Sequence, residues 1–238
     1  MAQRRAGRRR PRVSVRRLGA ARALHVDGTF ASLYTPGRAR SGPVWDALAA
    51  PLAWLPQARR RSVLLLGLGG GSAARLARAL APRARIVGVE IDPAVVRTAR
   101  RDFDLDALGL EVVVEDARRF LRRDRRTYDL VVEDVFVGAG RAVHKPDWLP
   151  EPELDRVARR VASGGLLVCN ALDEAPAVAR AVGRRFRGAV QIGVEGYDNR
   201  ISVGGPGTLC ARGLRAAVGA TPLLASALQD LRFRTLRS

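Results

Sequence analysis

Val63-Leu64-Leu65-Leu66-Gly67-Leu68-Gly69-Gly70-Gly71-Ser72 runs an apolar strand into a glycine-rich loop, and a helix-like segment follows. The next apolar run, Ile86-Val87-Gly88-Val89-Glu90, closes on an acid 23 residues after Gly67. Strand, glycine loop, helix, strand and terminal acid, in that order, describe a parallel α/β sheet holding a nucleoside at the carboxyl edge of its strands. The glycines Gly67, Gly69 and Gly71 let backbone and ligand approach closely. Glu90, at the second strand tip, is placed to accept hydrogen bonds from ribose hydroxyls.

Working outward from that unit, the pattern predicts strands over 63–67, 85–90, 110–115, 129–134 and 165–170, each apolar enough to be covered on both faces. Helices are predicted to start near Ser72, Pro93, Ala117 and Pro152, with Ser72 capping the first and Asp92 before Pro93 capping the second. An antiparallel pair over 188–194 and 199–204 should turn at Glu195-Gly196-Tyr197-Asp198, and 208–235 reads as one or two closing helices. Upstream, 22–26 and 29–34 flank Asp27-Gly28, a two-residue hairpin signal. Val44 to Leu55 reads as a helix with Trp45, Leu48, Leu52 and Leu55 on one side. The expected organisation is a disordered basic arm over 1–18, a hairpin and linker helix over 19–61, and a Rossmann-like nucleoside-binding domain over 62–238 with a mostly parallel, seven-stranded sheet.

Composition narrows the function classes. An apolar fraction of 47% fits a folded core, and no apolar run reaches the roughly 18 residues a membrane span needs. Cys169 and Cys210 sit in no CxxC pair, so neither a disulfide framework nor a metal site is expected, and a reducing cytoplasm suits the chain. The net charge of +19 is concentrated at the front, where residues 1–61 hold 14 arginines against Asp27 and Asp46. Such a tail attracts phosphate-rich polymers, but no nucleic-acid-binding motif accompanies it, so nucleic acid is not the expected partner. Lys145 is the single lysine, which marks the arginine excess as a composition bias of the whole chain.

Acids recur at successive predicted strand tips: Glu90, then Glu115-Asp116-Ala117, then Glu133-Asp134. A carboxylate at such a tip loses hydration unless something pairs with it, and an adenine nucleoside supplies hydroxyls and an amino group. The reading assigns Glu90 to the ribose, Asp116 and Ala117 to the adenine, and Ile91 to packing against the ring. Glu90 and Asp116 also suit helix N-termini, where an acid is stabilised by the dipole. Asp134, beside the glycine loop, is the catalytic candidate: it can take a proton from an attacking amine or hold that amine. His144 lies in the long loop after this strand, over the pocket mouth.

These residues resemble the spermidine synthase family, polyamine aminopropyltransferases built on the class I S-adenosylmethionine-dependent methyltransferase fold. The similarity runs from Val26-Asp27-Gly28-Thr29 to about Gly205. It includes Leu65-Leu66-Gly67-Leu68-Gly69-Gly70-Gly71, Val89-Glu90-Ile91-Asp92-Pro93, Glu115-Asp116-Ala117 and Tyr128-Asp129-Leu130-Val131-Val132-Glu133-Asp134. The resemblance implies decarboxylated S-adenosylmethionine or S-adenosylmethionine as co-substrate, no metal, an amine acceptor, Asp134 at the catalytic aspartate, and homodimer pairing through the hairpin. It departs from the family at Gly70, where an aspartate is usual, and at Val137, where a second acid is usual. It departs also at Ala31, in place of a glutamine, and at Trp45-Asp46, in place of a tyrosine-histidine pair. The nucleoside half thus matches and the acceptor half does not. Two alternatives stay open: a methyltransferase, with Gly70 leaving room for the donor's carboxylate, and a non-catalytic nucleoside-binding relative.

Overall fold

The computed structural model describes residues 12–236. The five apolar runs form parallel strands: β4 (Ser62–Leu66), β5 (Arg85–Glu90), β6 (Glu111–Val114), β7 (Tyr128–Glu133) and β8 (Val161–Ala171), neighbours in the order β6-β5-β4-β7-β8. Helices α2 (Ser72–Leu80), α3 (Pro93–Asp102), α4 (Ala117–Arg123) and α5 (Leu154–Ala158) make the crossovers. The chain moves outward from β4 through β5 to β6, then returns to place β7 on the other side of β4. That reversal opens a crevice beyond the tips of β4 and β7, where ligands of such sheets sit.

After α6 (Ala175–Arg185), β9 (Gly188–Val194) and β10 (Arg200–Gly205) pair antiparallel about the expected turn, with β10 against β8. The tail then departs from the expected helices. Following α7 (Ala211–Gly219), the strand β11 (Leu231–Thr235) pairs antiparallel with β9, so the sheet has eight strands and not seven. Its alternation explains the difference. Leu231 is fully buried and Phe233 packs on the core, while Arg232 and Arg234 lie on the other face, a period of two that the arginines disguise.

The expected hairpin is part of a three-stranded antiparallel sheet: β1 (Val13–Leu18), β2 (Ala21–Val26) and β3 (Thr29–Tyr34). Asp27 and Gly28 both have positive φ, the turn geometry that matches strand twist. The arm expected over 1–18 therefore ends too late. Val13 and Val15 pack beside Leu24, Tyr34, Val95 and Phe103, and only residues 1–11 of that arm lie outside the described residues. The linker helix is also more than a linker. α1 (Pro43–Ala49) and the 3-10 turn after it bury Leu48, Leu52 and Leu55 in the same core as Leu65, Leu76 and Val203. Among the described residues no helix is long and apolar enough to cross a membrane.

Candidate active site

The glycine loop is shaped by its neighbours. Gly67, Gly69 and Gly71 all have positive φ. A β-carbon on Gly67 would lie 2.3 Å from the Asp134 carbonyl oxygen, so the tips of β4 and β7 touch only because this position lacks one. At Gly71 the added carbon would meet Leu105 at 2.7 Å. Gly67 and Gly69 line the crevice, whereas Gly71 does not: it is the N-cap of α2 and faces the core. Ser72 does not cap that helix, because its hydroxyl is taken by β3, donating to the Leu33 carbonyl and accepting from the Leu33 amide.

Every amide from Gly67 to Gly71 already has a protein acceptor. Gly67 and Leu68 donate to the Val89 carbonyl, Gly69 to Glu90 Oε2, Gly70 to Ser32 Oγ, and Gly71 to the Leu68 carbonyl. A loop that cradles phosphate needs free amides; this one spends them on its own fold. Gly70 offers no vacancy either. A β-carbon there would sit 2.8 Å from that of Ser32 and 3.0 Å from Phe103, so the room expected for a donor carboxylate is filled by β3 and α3's end.

Glu90 closes β5 with Oε2 accepting from Gly69 (2.9 Å) and Oε1 from the Asp92 amide (3.1 Å). Burial raises its carboxyl above the usual range, against the pull of those amides. A carboxylate has about four acceptor positions, so capacity remains for two hydroxyls. Ile91, at 48% exposure, is a large apolar side chain left open on the crevice wall. Asp92 caps α3 as expected, accepting from Ala94. Asp116 and Ala117 also line the crevice, and Asp116 Oδ1 is the N-cap acceptor for the Arg119 amide, as the capping reading expects. Glu115, beside it, is held by Arg119 and Arg123.

Asp134 lines the crevice, just past β7. Its Oδ1 accepts from Asn170 Nδ2 at 2.8 Å, and Asn170 Oδ1 in turn accepts from Asn199 Nδ2 at 2.9 Å. Burial pushes the Asp134 carboxyl up to about 7, with Glu133 and Glu90 adding to the shift and Asn170 and Lys145 opposing it. Glu133 itself is removed from the site: Lys145 Nζ clamps both its oxygens, at 2.7 and 2.9 Å, with each side chain 1% exposed. The segment from Val135 to Trp148 roofs the crevice, and His144 lies on it, exposed, with Nδ1 against the Ala142 carbonyl. The crevice is ≈ 1610 Å³, larger than the ~300–1,000 Å³ of a single-ligand pocket and sufficient for two reactants side by side.

Residues 63–165 match the methyltransferase domain family. A polyamine aminopropyltransferase of Neisseria meningitidis is 29% identical over 132 residues, which is 54% of this chain and 50% of that protein. The chain spans half the length or less of the first curated relatives it matches. Among solved structures, a probable spermidine synthase of Corynebacterium glutamicum superposes with a TM-score of 0.74 at 20% identity, covering 94% of this chain and 88% of that one. The fold is that of class I methyltransferases, and about half of the chain is similar in sequence to polyamine aminopropyltransferases. Human methyltransferase-like protein 13, solved in complex with SAH, shares that fold at a TM-score of 0.65 and 21% identity, covering 80% and 94%.

Three residues that shape the crevice escaped the sequence reading. Asn170 and Asn199 orient Asp134, yet an asparagine at the end of an apolar strand and another in a turn carry no spacing signal. Lys145 was visible as the lone lysine, but its partner Glu133 is twelve positions away, and only the folded loop brings them together. Of the Trp45-Asp46 pair at which the chain departs from the family, Trp45 lines the crevice, whereas Asp46 is fully buried, paired with Arg40 at 2.8 Å, and absent from the crevice wall.

Proposed function

We propose that the chain is a transferase that binds an adenosyl sulfonium donor and moves an aminopropyl group from decarboxylated S-adenosylmethionine to an amine. The observation that carries the reading is the convergence of Glu90, Asp116 and Asp134, from three strand tips, on one crevice whose glycine loop keeps no amide for a phosphate. Those features suit a nucleoside bearing a positive centre better than one bearing a pyrophosphate. Glu90 would hold the ribose, Asp116 and Ala117 the adenine edge, and Ile91 its face.

An amine reaches the site as an ammonium and is nucleophilic only after losing a proton. Asp134, with a carboxyl held near neutrality, is matched to that task. Asn170 fixes its orientation. As the nitrogen lone pair forms the new C–N bond, the C–S bond breaks and its electrons leave with sulfur, giving a neutral thioether, methylthioadenosine for aminopropyl transfer. Alignment of the two reactants supplies most of the rate, since the donor is already activated.

Methyl transfer from S-adenosylmethionine is the second reading, supported by the domain match over 63–165 and by the SAH-bound neighbour. Calorimetric titration of decarboxylated S-adenosylmethionine, S-adenosylmethionine and methylthioadenosine separates the two. Tighter binding of the decarboxylated donor is expected; preference for the intact donor selects methyl transfer, and failure of all three to bind removes the transferase reading. Asp134→Asn should lower turnover by ~10²–10⁴, the usual contribution of a general base, with donor affinity nearly unchanged.

A further inference from the structure

The two halves of the crevice differ in chemistry. The half beyond β5 and β6 carries Glu90, Asp92, Glu115 and Asp116. The half beyond β7, β8 and the β9–β10 turn is walled largely by Phe30, Trp45, Phe136, Val137 and Tyr197, with Asn170 and Asn199 among them and, among the described residues, without a second buried carboxylate. Phe30 and Trp45 meet at right angles with centroids 5.1 Å apart, so the hairpin and α1 form one aromatic wall.

Carboxylates are scarce in this half. Glu133, next to Asp134, is fully engaged by Lys145, and Lys145 Nζ is further capped by the Val135 carbonyl at 3.1 Å and the Phe136 ring at 4.2 Å. Asp27 sits at the hairpin turn with Oδ1 accepting from the Arg12 amide. Asp147 is on the roof and exposed to solvent, where a carboxylate adds little to binding. Among the described residues, Asp134 is then the one buried carboxylate left to face an acceptor in this half, and the Asn199–Asn170 chain occupies one of its oxygens. Among the described residues no donor is paired with the other.

We infer that the acceptor is a primary monoamine on a flat aromatic or otherwise apolar body, and not an aliphatic di- or polyamine. Its nitrogen meets Asp134, and its body lies against Trp45 and Phe30. A second ammonium would enter an apolar wall without a carboxylate, losing hydration that an aromatic face only partly replaces. This inference rests on the transferase reading, because it takes the donor to occupy the Glu90 half. The step is the one above: the amine proton passes to Asp134, the C–N bond forms, and the C–S bond breaks with its electrons going to sulfur.

The test uses the full chain in two stages. Donor binding is measured first by calorimetry, so that a failure of the transferase reading shows before any acceptor is added. With the tighter-binding donor saturating, thioether release is then compared for 2-phenylethylamine, tryptamine, putrescine and spermidine. The expected result is kcat/KM at least about tenfold higher for the aromatic monoamines, the scale of one buried polar group left without a partner. Val137→Asp, which adds an acid on the roof, should narrow or reverse that ratio, while Asp147→Asn should leave it unchanged. Donor binding combined with preference for putrescine, or with no turnover of either monoamine, overturns the inference and leaves the donor assignment standing. Selective loss of diamine turnover in Asp147→Asn would overturn it too, by making Asp147 the second anchor.

Discussion

Asp134, the proposed general base, is buried at the expense of the fold. Its folded-state carboxyl titrates near 7, above the ordinary 3.8, chiefly because it is buried. A raised carboxyl stabilises the fold fully below the unfolded value and loses that contribution as pH rises through the folded one. A shift of this size corresponds to a cost on the order of 4 kcal/mol at pH 8 relative to pH 4. Asp134→Asn keeps an acceptor for Asn170 and removes the charge. Thermal unfolding of the variant should therefore match the parent near pH 4 and exceed it at pH 8; equal curves at both pH values would show that Asp134 does not titrate in this range. The same titration predicts that turnover of the parent rises with pH through about 7, as the base ionises. Sequence order named this residue, because a strand tip next to a glycine loop is a recognisable address. Its ionisation was not legible, since burial and the Asn170 bond come from other strands.

At the scale of elements, the roof loop and the glycine loop are each held by a contact that spacing could not reveal. Lys145 ties the roof to β7 through Glu133, and its own backbone amide donates to Glu174 Oε1 at 2.8 Å. Lys145→Met would strand a buried carboxylate, a loss of about 3–5 kcal/mol. Adding Glu133→Gln in the same chain should recover much of it, and denaturant midpoints of the two variants check both statements. Loss of the Lys145 charge should also move the Asp134 titration upward, seen as a shift in the pH–rate profile. The glycine loop makes a contrary prediction about Gly70. Restoring the acid usual at that position, by Gly70→Asp, should destabilise the chain by about 1–3 kcal/mol without raising affinity for the decarboxylated donor, because the side chain would be driven into Ser32 and Phe103. A gain in affinity with unchanged unfolding would show that Ser32 yields.

The whole molecule is closed by strands at its two ends. β11 covers the outer edge of β9, placing Leu231 in the main core and Phe233 opposite Ile192. Deleting residues 231–238 should cost at least ~3 kcal/mol from the apolar surface of those two side chains and expose a strand edge, visible as a lower midpoint and as aggregation in size-exclusion chromatography. The sequence by itself determined the strand and helix order of residues 62–171, the antiparallel pair over 188–204 though not the helix α6 before it, the hairpin turn at Asp27-Gly28, and the acids at the strand tips, because these follow from local period, turn chemistry and neighbouring residues along the chain. The tertiary structure alone decided that β1 and β11 are strands, since their arginines mask a period of two that only a partner strand makes favourable. It alone decided that Gly70 and Gly71 serve packing, that Glu133 is neutralised, and that Asn170 and Asn199 orient Asp134. Each of these depends on groups far apart in sequence meeting within a few ångströms, and a linear pattern carries no record of that distance.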